Sequence, residues 1–176
     1  MKTKLKKCND TAGGFSLLEV MVAIGILLVG VVAVAQLVPI SLALNNDNRS
    51  DSVALALAQR ELDQMVDQPL KSGQFTDALG NVCGLGNPGA NAVVGSTVAV
   101  INNRPIIDFT AGQVGGYSFN YLDPEDPYGA TYDVRWAVIT TANGGNANSK
   151  RFIIGARQLR GDGYIRPLTL DAMVEK

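Results

Sequence analysis

Glu19 is the one ionisable side chain between Asp10 and Asp47, and it stands at the head of a long apolar run. A carboxylate in a membrane span costs on the order of 2.5 kcal/mol at the bilayer centre and less near the interface, so such a residue is by default functional, with a partner to be named. The small residues Ala12, Gly13 and Gly14 precede it, followed by Phe15. Small residues of this kind mark cleavage sites, but a secretory signal peptide places them after its apolar core, and here they come first. Other chemistry is thin. Histidine is absent, which removes the commonest general base and the commonest metal ligand together. No GxSxG or SxxK motif and no metal-ligand spacing occurs.

Weaker motifs have plain explanations. Cys8 lies across the apolar run from Cys83, so no disulfide framework is read, and Cys83 is a free thiol without an activating neighbour. The run Cys83-Gly-Leu-Gly-Asn-Pro-Gly89 lacks the Lys-Ser/Thr ending of a phosphate loop. Asp123, Glu125 and Asp126 sit in a proline-bounded loop and are the candidate cation ligands. Their spacing is not that of an EF-hand, and a solvated turn is the better account. Arg160-Gly161-Asp162 spells an adhesion tripeptide, but Gly and Asp also simply make turns. No metal and no cofactor is expected.

The elements that must position these residues begin with Val20 to Leu44, 25 residues without a charge, in which Gln36 and Ser41 are the only polar side chains. That length crosses a bilayer as a helix and exceeds a signal-peptide core. Hydrophobic residues are 47% of the 176-residue chain, and this run holds a large share of them. Lys2, Lys4, Lys6 and Lys7 against Asp10 give the head a charge of +3, which leaves -4 on the rest and -1 overall. By the positive-inside rule the head is cytoplasmic and the body is outside. An acidic body also argues against a nucleic-acid partner.

Gly13-Gly14-Phe15-Ser16-Leu17-Leu18-Glu19-Val20 resembles the prepilin-peptidase motif of type IV pilins and type II secretion pseudopilins. That resemblance implies a cut between Gly14 and Phe15, removal of leader 1–14 and N-methylation of Phe15. It also implies that Glu19 neutralises an N-terminal amine in the assembling filament and so selects axial register. The partners it implies are the prepilin peptidase, other major and minor pilins and an inner-membrane assembly platform.

The fold class expected is α+β, the pilin fold: a long N-terminal helix over about 15–68, its first half transmembrane, packed on a small antiparallel sheet. At 1.5 Å per residue that helix runs ~80 Å. Residues 15–44 form the membrane or filament-core part and 45–68 the amphipathic part. In the latter, Leu55, Ala58, Leu62 and Met65 face inward, while Arg60, Glu61, Asp63 and Asp67 take other faces. A kink is expected at Pro39, slightly later than the family's usual proline, and fraying or bending at Asn45–Asn48. Gly25 and Gly30 allow close helix contact without a GxxxG spacing.

Residues 69–176 make a globular β domain. Lys71–Asn91 reads as loop, and strands are expected over Val93–Ile101, Tyr117–Leu122, Thr131–Thr141, Arg151–Leu159 and Tyr164–Leu170. Alternation through Tyr132–Val138 predicts one buried face with Trp136 in the core, and Asn143-Gly-Gly-Asn146 predicts a hairpin turn. The Tyr132…Trp136 strand followed by Lys150–Leu159 is similar to PilV-like minor pilins (type IV pilus modification proteins) and I-type pseudopilins. A non-enzymatic minor pilin that assembles, primes or modifies a type IV pilus is the expectation, first in the inner membrane, then on the cell surface. A type II secretion pseudopilin shares the same helix and sheet, and a membrane-anchored periplasmic binding or enzymatic domain is the alternative of another class.

Overall fold

A computed structural model describes residues 14–126, 129–159 and 167–175. The lysine head with Cys8, Asp10, Ala12 and Gly13 lies outside them, as do Pro127 and Arg160-Gly161-Asp162. Among the described residues one helix, α1 (Leu17–Val66), is followed by nine strands, and the architecture is α+β as the sequence predicts. The chain divides into two compact units between Asn46 and Asp47.

The first unit is the apolar half of α1. Its hydropathy averages 2.8 over the most apolar 18-residue window, and none of that window is buried by the chain itself. The helix is long and apolar enough to cross a membrane. It continues through Pro39 and through Asn45–Asn48 without interruption, so the expected fraying at the asparagines does not occur. Weak intrinsic propensity there is outweighed by the helix already propagating from both sides.

In the second unit, α1 buries Ser50, Ala54, Leu57, Ala58, Glu61, Leu62 and Met65, a stripe at spacings of three and four. Two expectations are corrected here. Leu55 is exposed, because it lies one residue and about 100° off the Ala54–Ala58–Leu62–Met65 line. Glu61 is fully buried, because it falls on that line. The helix ends at Val66, two residues short of Gln68, with Pro69 close behind.

The main sheet is antiparallel and has five strands. Strands β7 (Thr131–Asn143) and β8 (Asn146–Leu159) form the hairpin predicted around Gly144-Gly145, and β9 (Leu168–Glu175) pairs with β8. β3 (Ala92–Gly95) and β6 (Ser118–Leu122) share β7, taking Ala137–Thr140 and Thr131–Arg135 respectively. Two small hairpins, β1 (Gln74–Thr76) with β2 (Val82–Gly84) and β4 (Val98–Ile101) with β5 (Arg104–Ile107), complete the fold. The first of these lies where only loop was expected. The last strand is displaced from Tyr164–Leu170 to Leu168–Glu175, and Tyr164–Arg166 lie outside the described residues.

The single strand expected over Val93–Ile101 is split, and Gly95 is the reason. Its φ is +103°, and an added Cβ would lie 2.6 Å from the Trp136 carbonyl oxygen. Only glycine turns the chain there, out of the main sheet and into β4. Gly95→Ala adds left-handed strain to a steric overlap, and should destabilise the domain by about 3 kcal/mol. The fluorescence of Trp136, the single tryptophan, reports the unfolding midpoint. A shift equivalent to under about 0.5 kcal/mol would refute this reading.

The alternation through Tyr132–Val138 predicts one buried face, yet every residue in it is buried. Tyr132, Val134, Trp136 and Val138 join the helix in the main core. The opposite face is covered by Ile107 and Phe109, which pack on Ala137 and Ile153. Asp133 and Arg135 survive burial there because they pair at 2.8 Å, with Arg157 3.3 Å from the same carboxylate. Both guanidinium groups stack on Phe109, at 5.1 and 4.7 Å from the ring centroid. Trp136 occupies the core as predicted: its Nε1–H donates to the Gly84 carbonyl at 3.1 Å, and Phe75 meets it edge-on at 5.5 Å.

Candidate processing and assembly site

Gly14, Phe15 and Ser16 precede the helix and are exposed. Ser16 is the N-cap: its Oγ accepts the Glu19 N–H at 3.2 Å, and its carbonyl accepts from Glu19 and Val20. The S-x-x-E spacing is the signature of a capping box, a signal that the sequence reading passed over. It fixes Glu19 in the first turn, where the helix dipole favours a carboxylate. Glu19 is exposed, and with Phe15, Val20, Ala23, Ile24 and Leu27 it borders a shallow apolar groove along one face of the helix. Phe15 is 81% exposed. An acid and a bare phenylalanine thus stand together at the head of a helix that its own chain leaves uncovered.

Gly14 sharpens the point. An added Cβ would meet nothing within 4 Å, and its φ is outside the left-handed region, so the chain's own fold makes no demand for glycine. The same holds for space around Gly25 and Gly30.

The acidic loop is built inward. Asp123 Oδ1 accepts the Glu125 N–H at 2.9 Å, and Asp126 Oδ2 accepts the Ala130 N–H at 2.9 Å. Arg49 on α1 donates to the Glu125 carbonyl at 3.0 Å and lies 3.8 Å from Asp123. These acids cap a turn and tie it to the helix. Among the described residues no group of three or more His, Cys, Asp or Glu is placed to hold a metal ion. The glycine-rich Cys83–Gly89 run starts in β2 and buries Cys83 and Leu85 in the core. Burial, then the neighbouring Asp77 carboxylate, push the Cys83 thiol up to about 11, which keeps it protonated and unreactive.

The family model of the prokaryotic N-terminal methylation motif matches residues 10–35. Comparison with curated proteins and with solved structures gives no match. The matched motif, placed at the head of a long apolar helix on an α+β domain, supports a type IV pilin-like or pseudopilin protein, a substrate of prepilin peptidase.

Proposed function

We propose that this chain is a structural minor pilin, taking part in the assembly, priming or modification of a type IV pilus. The observation that carries the reading is the apolar half of α1, bare in its own chain and headed by Gly14, Phe15 and Glu19 inside the methylation motif. Prepilin peptidase removes residues 1–14 and methylates Phe15. Residues 15–44 then anchor the subunit in the inner membrane, and later pack in the filament core among other major and minor pilins, drawn there by the assembly platform. Residues 45–68 link this segment to the periplasmic body, 69–176. The β7–β8 hairpin is similar to PilV-like subunits and to I-type pseudopilins alike, so a type II secretion pseudopilin, built on the same helix and sheet, is the second reading.

Mass spectrometry of filaments sheared from cells tests this directly. The expected result is a chain beginning at a methylated Phe15, present at low copy beside a major subunit. Its absence from filaments would end the minor-pilin reading, and an intact residue 1–14 segment would end the processing assignment.

A further inference from the structure

Glu61 takes no part in the proposed assembly chemistry, yet it is fully buried. Its Oε1 accepts the Ala78 N–H at 2.9 Å, from the turn joining β1 to β2. Its Oε2 is buried without a hydrogen-bond partner. The turn also presents Asp77, itself buried, on which the N–H groups of Leu79 and Asn81, the Asn81 side-chain amide and the Cys83 thiol converge. That donor set suits a carboxylate. The titratable groups acting on Glu61 are therefore Asp77 and Cys83 from the hairpin, and Arg60 from its own helix. On its own helix Glu61 is flanked along the buried stripe by Ala58, Leu62 and Met65, which are apolar.

We propose that Glu61 is a proton-operated latch, which holds the β1–β2 hairpin against α1 while neutral and loosens it on ionising. A neutral carboxyl here leaves one hydrogen bond unmade; a charged one is a buried anion beside a second acid, with no cation paired to it among the described residues. Burial foremost, with Asp77 adding, pushes its carboxyl up to about 7 from 4.5, against the opposing Ala78 hydrogen bond. An acid raised on folding binds its proton more tightly in the closed state, so closure is favoured at low pH. It weakens as pH rises from about 4.5 to about 7, and changes little above that. A domain outside the cytoplasm meets that range whenever the surroundings change from acidic to neutral.

Amide hydrogen exchange of the full-length chain in detergent, corrected for intrinsic exchange rates, measures hairpin opening directly. Between about pH 5.5 and about pH 8.5 the opening constant over residues 74–84 should rise about thirtyfold, most of it gained below about pH 7. Glu61→Gln should stay closed and flat to within about twofold over the same range. Asp77→Asn, which removes the neighbouring charge, should move the levelling-off point to lower pH and keeps the test decisive if the glutamine variant misfolds. A flat wild-type profile, an equal rise in Glu61→Gln, or an unshifted profile in Asp77→Asn would overturn the latch.

Discussion

Gly14→Val is expected to leave a precursor, heavier by residues 1–14 and still inserted in the membrane, in cells where the wild-type chain is mature. A peptidase pocket shaped around a glycine beside the scissile bond must accommodate a branched side chain in the variant. Overpacking of this kind costs about 1–3 kcal/mol, which lowers the rate of cleavage by about five- to one-hundred-and-fiftyfold. The control is built into the structure. Nothing lies within 4 Å of a Cβ at Gly14, and the residue precedes the helix, so valine leaves the chain's own fold alone. Any loss of maturation therefore reports on the enzyme and not on a misfolded substrate. Intact mass of the membrane-extracted protein reads the outcome, and normal maturation would remove Gly14 from the processing site.

The elements legible in the sequence were those with a strong local signal. An uncharged run of 25 residues could hardly be anything but a helix, and the β-branched segments around Asn143-Gly144-Gly145-Asn146 gave the β7–β8 hairpin in register with its turn. What stayed hidden depends on contacts between distant segments. Asp133 and Arg135 look like a solvent face until Phe109 and Ile107 fold over them. Lys150 reads as an ordinary strand start; in the structure it is buried, and its ammonium donates to the Ser72 carbonyl at the exit from the helix. Burial alone pushes that ammonium below its usual range. β1 and β2 are three residues each, too short to show a period, and their place is set by Phe75 and Cys83 entering the core. Glu61 was within reach of periodicity: it stands four residues after Leu57 and three after Ala58, on the buried stripe, although acids usually face water.

Of the candidate site itself, Gly14, Phe15 and Glu19 came from the resemblance of Gly13–Val20 to the prepilin-peptidase motif, ahead of the apolar run. Ser16 did not, although its spacing from Glu19 was on view. Its place bears on the experiment that matters most, because the backbone and the side chain of Glu19, at the third helical position, face different groups. Its N–H completes the helix cap through Ser16 Oγ, and its carboxylate is free to meet another molecule in the groove beside Phe15.

Glu19→Ala separates them. Alanine keeps the backbone N–H and so keeps the cap, and it is the best helix former. It also removes a charge from the head of a membrane segment, which makes insertion easier and not harder. The variant should therefore be cleaved by the peptidase and accumulate in the inner membrane at wild-type levels. In a filament the position changes. The amine exposed at Phe15 of one subunit needs a negative partner once it is drawn out of water, and a charge-assisted hydrogen bond of that kind contributes about 1.5–3 kcal/mol. Losing it should deplete the variant from sheared filaments by about ten- to a hundredfold, measured by quantitative blotting at equal cellular abundance. Glu19→Gln, which keeps the shape and a hydrogen-bond acceptor, should fall between alanine and wild type. Undiminished incorporation of Glu19→Ala would leave Glu19 as an interfacial acid in a capping position, and the search for the partner of the Phe15 amine would move to another residue.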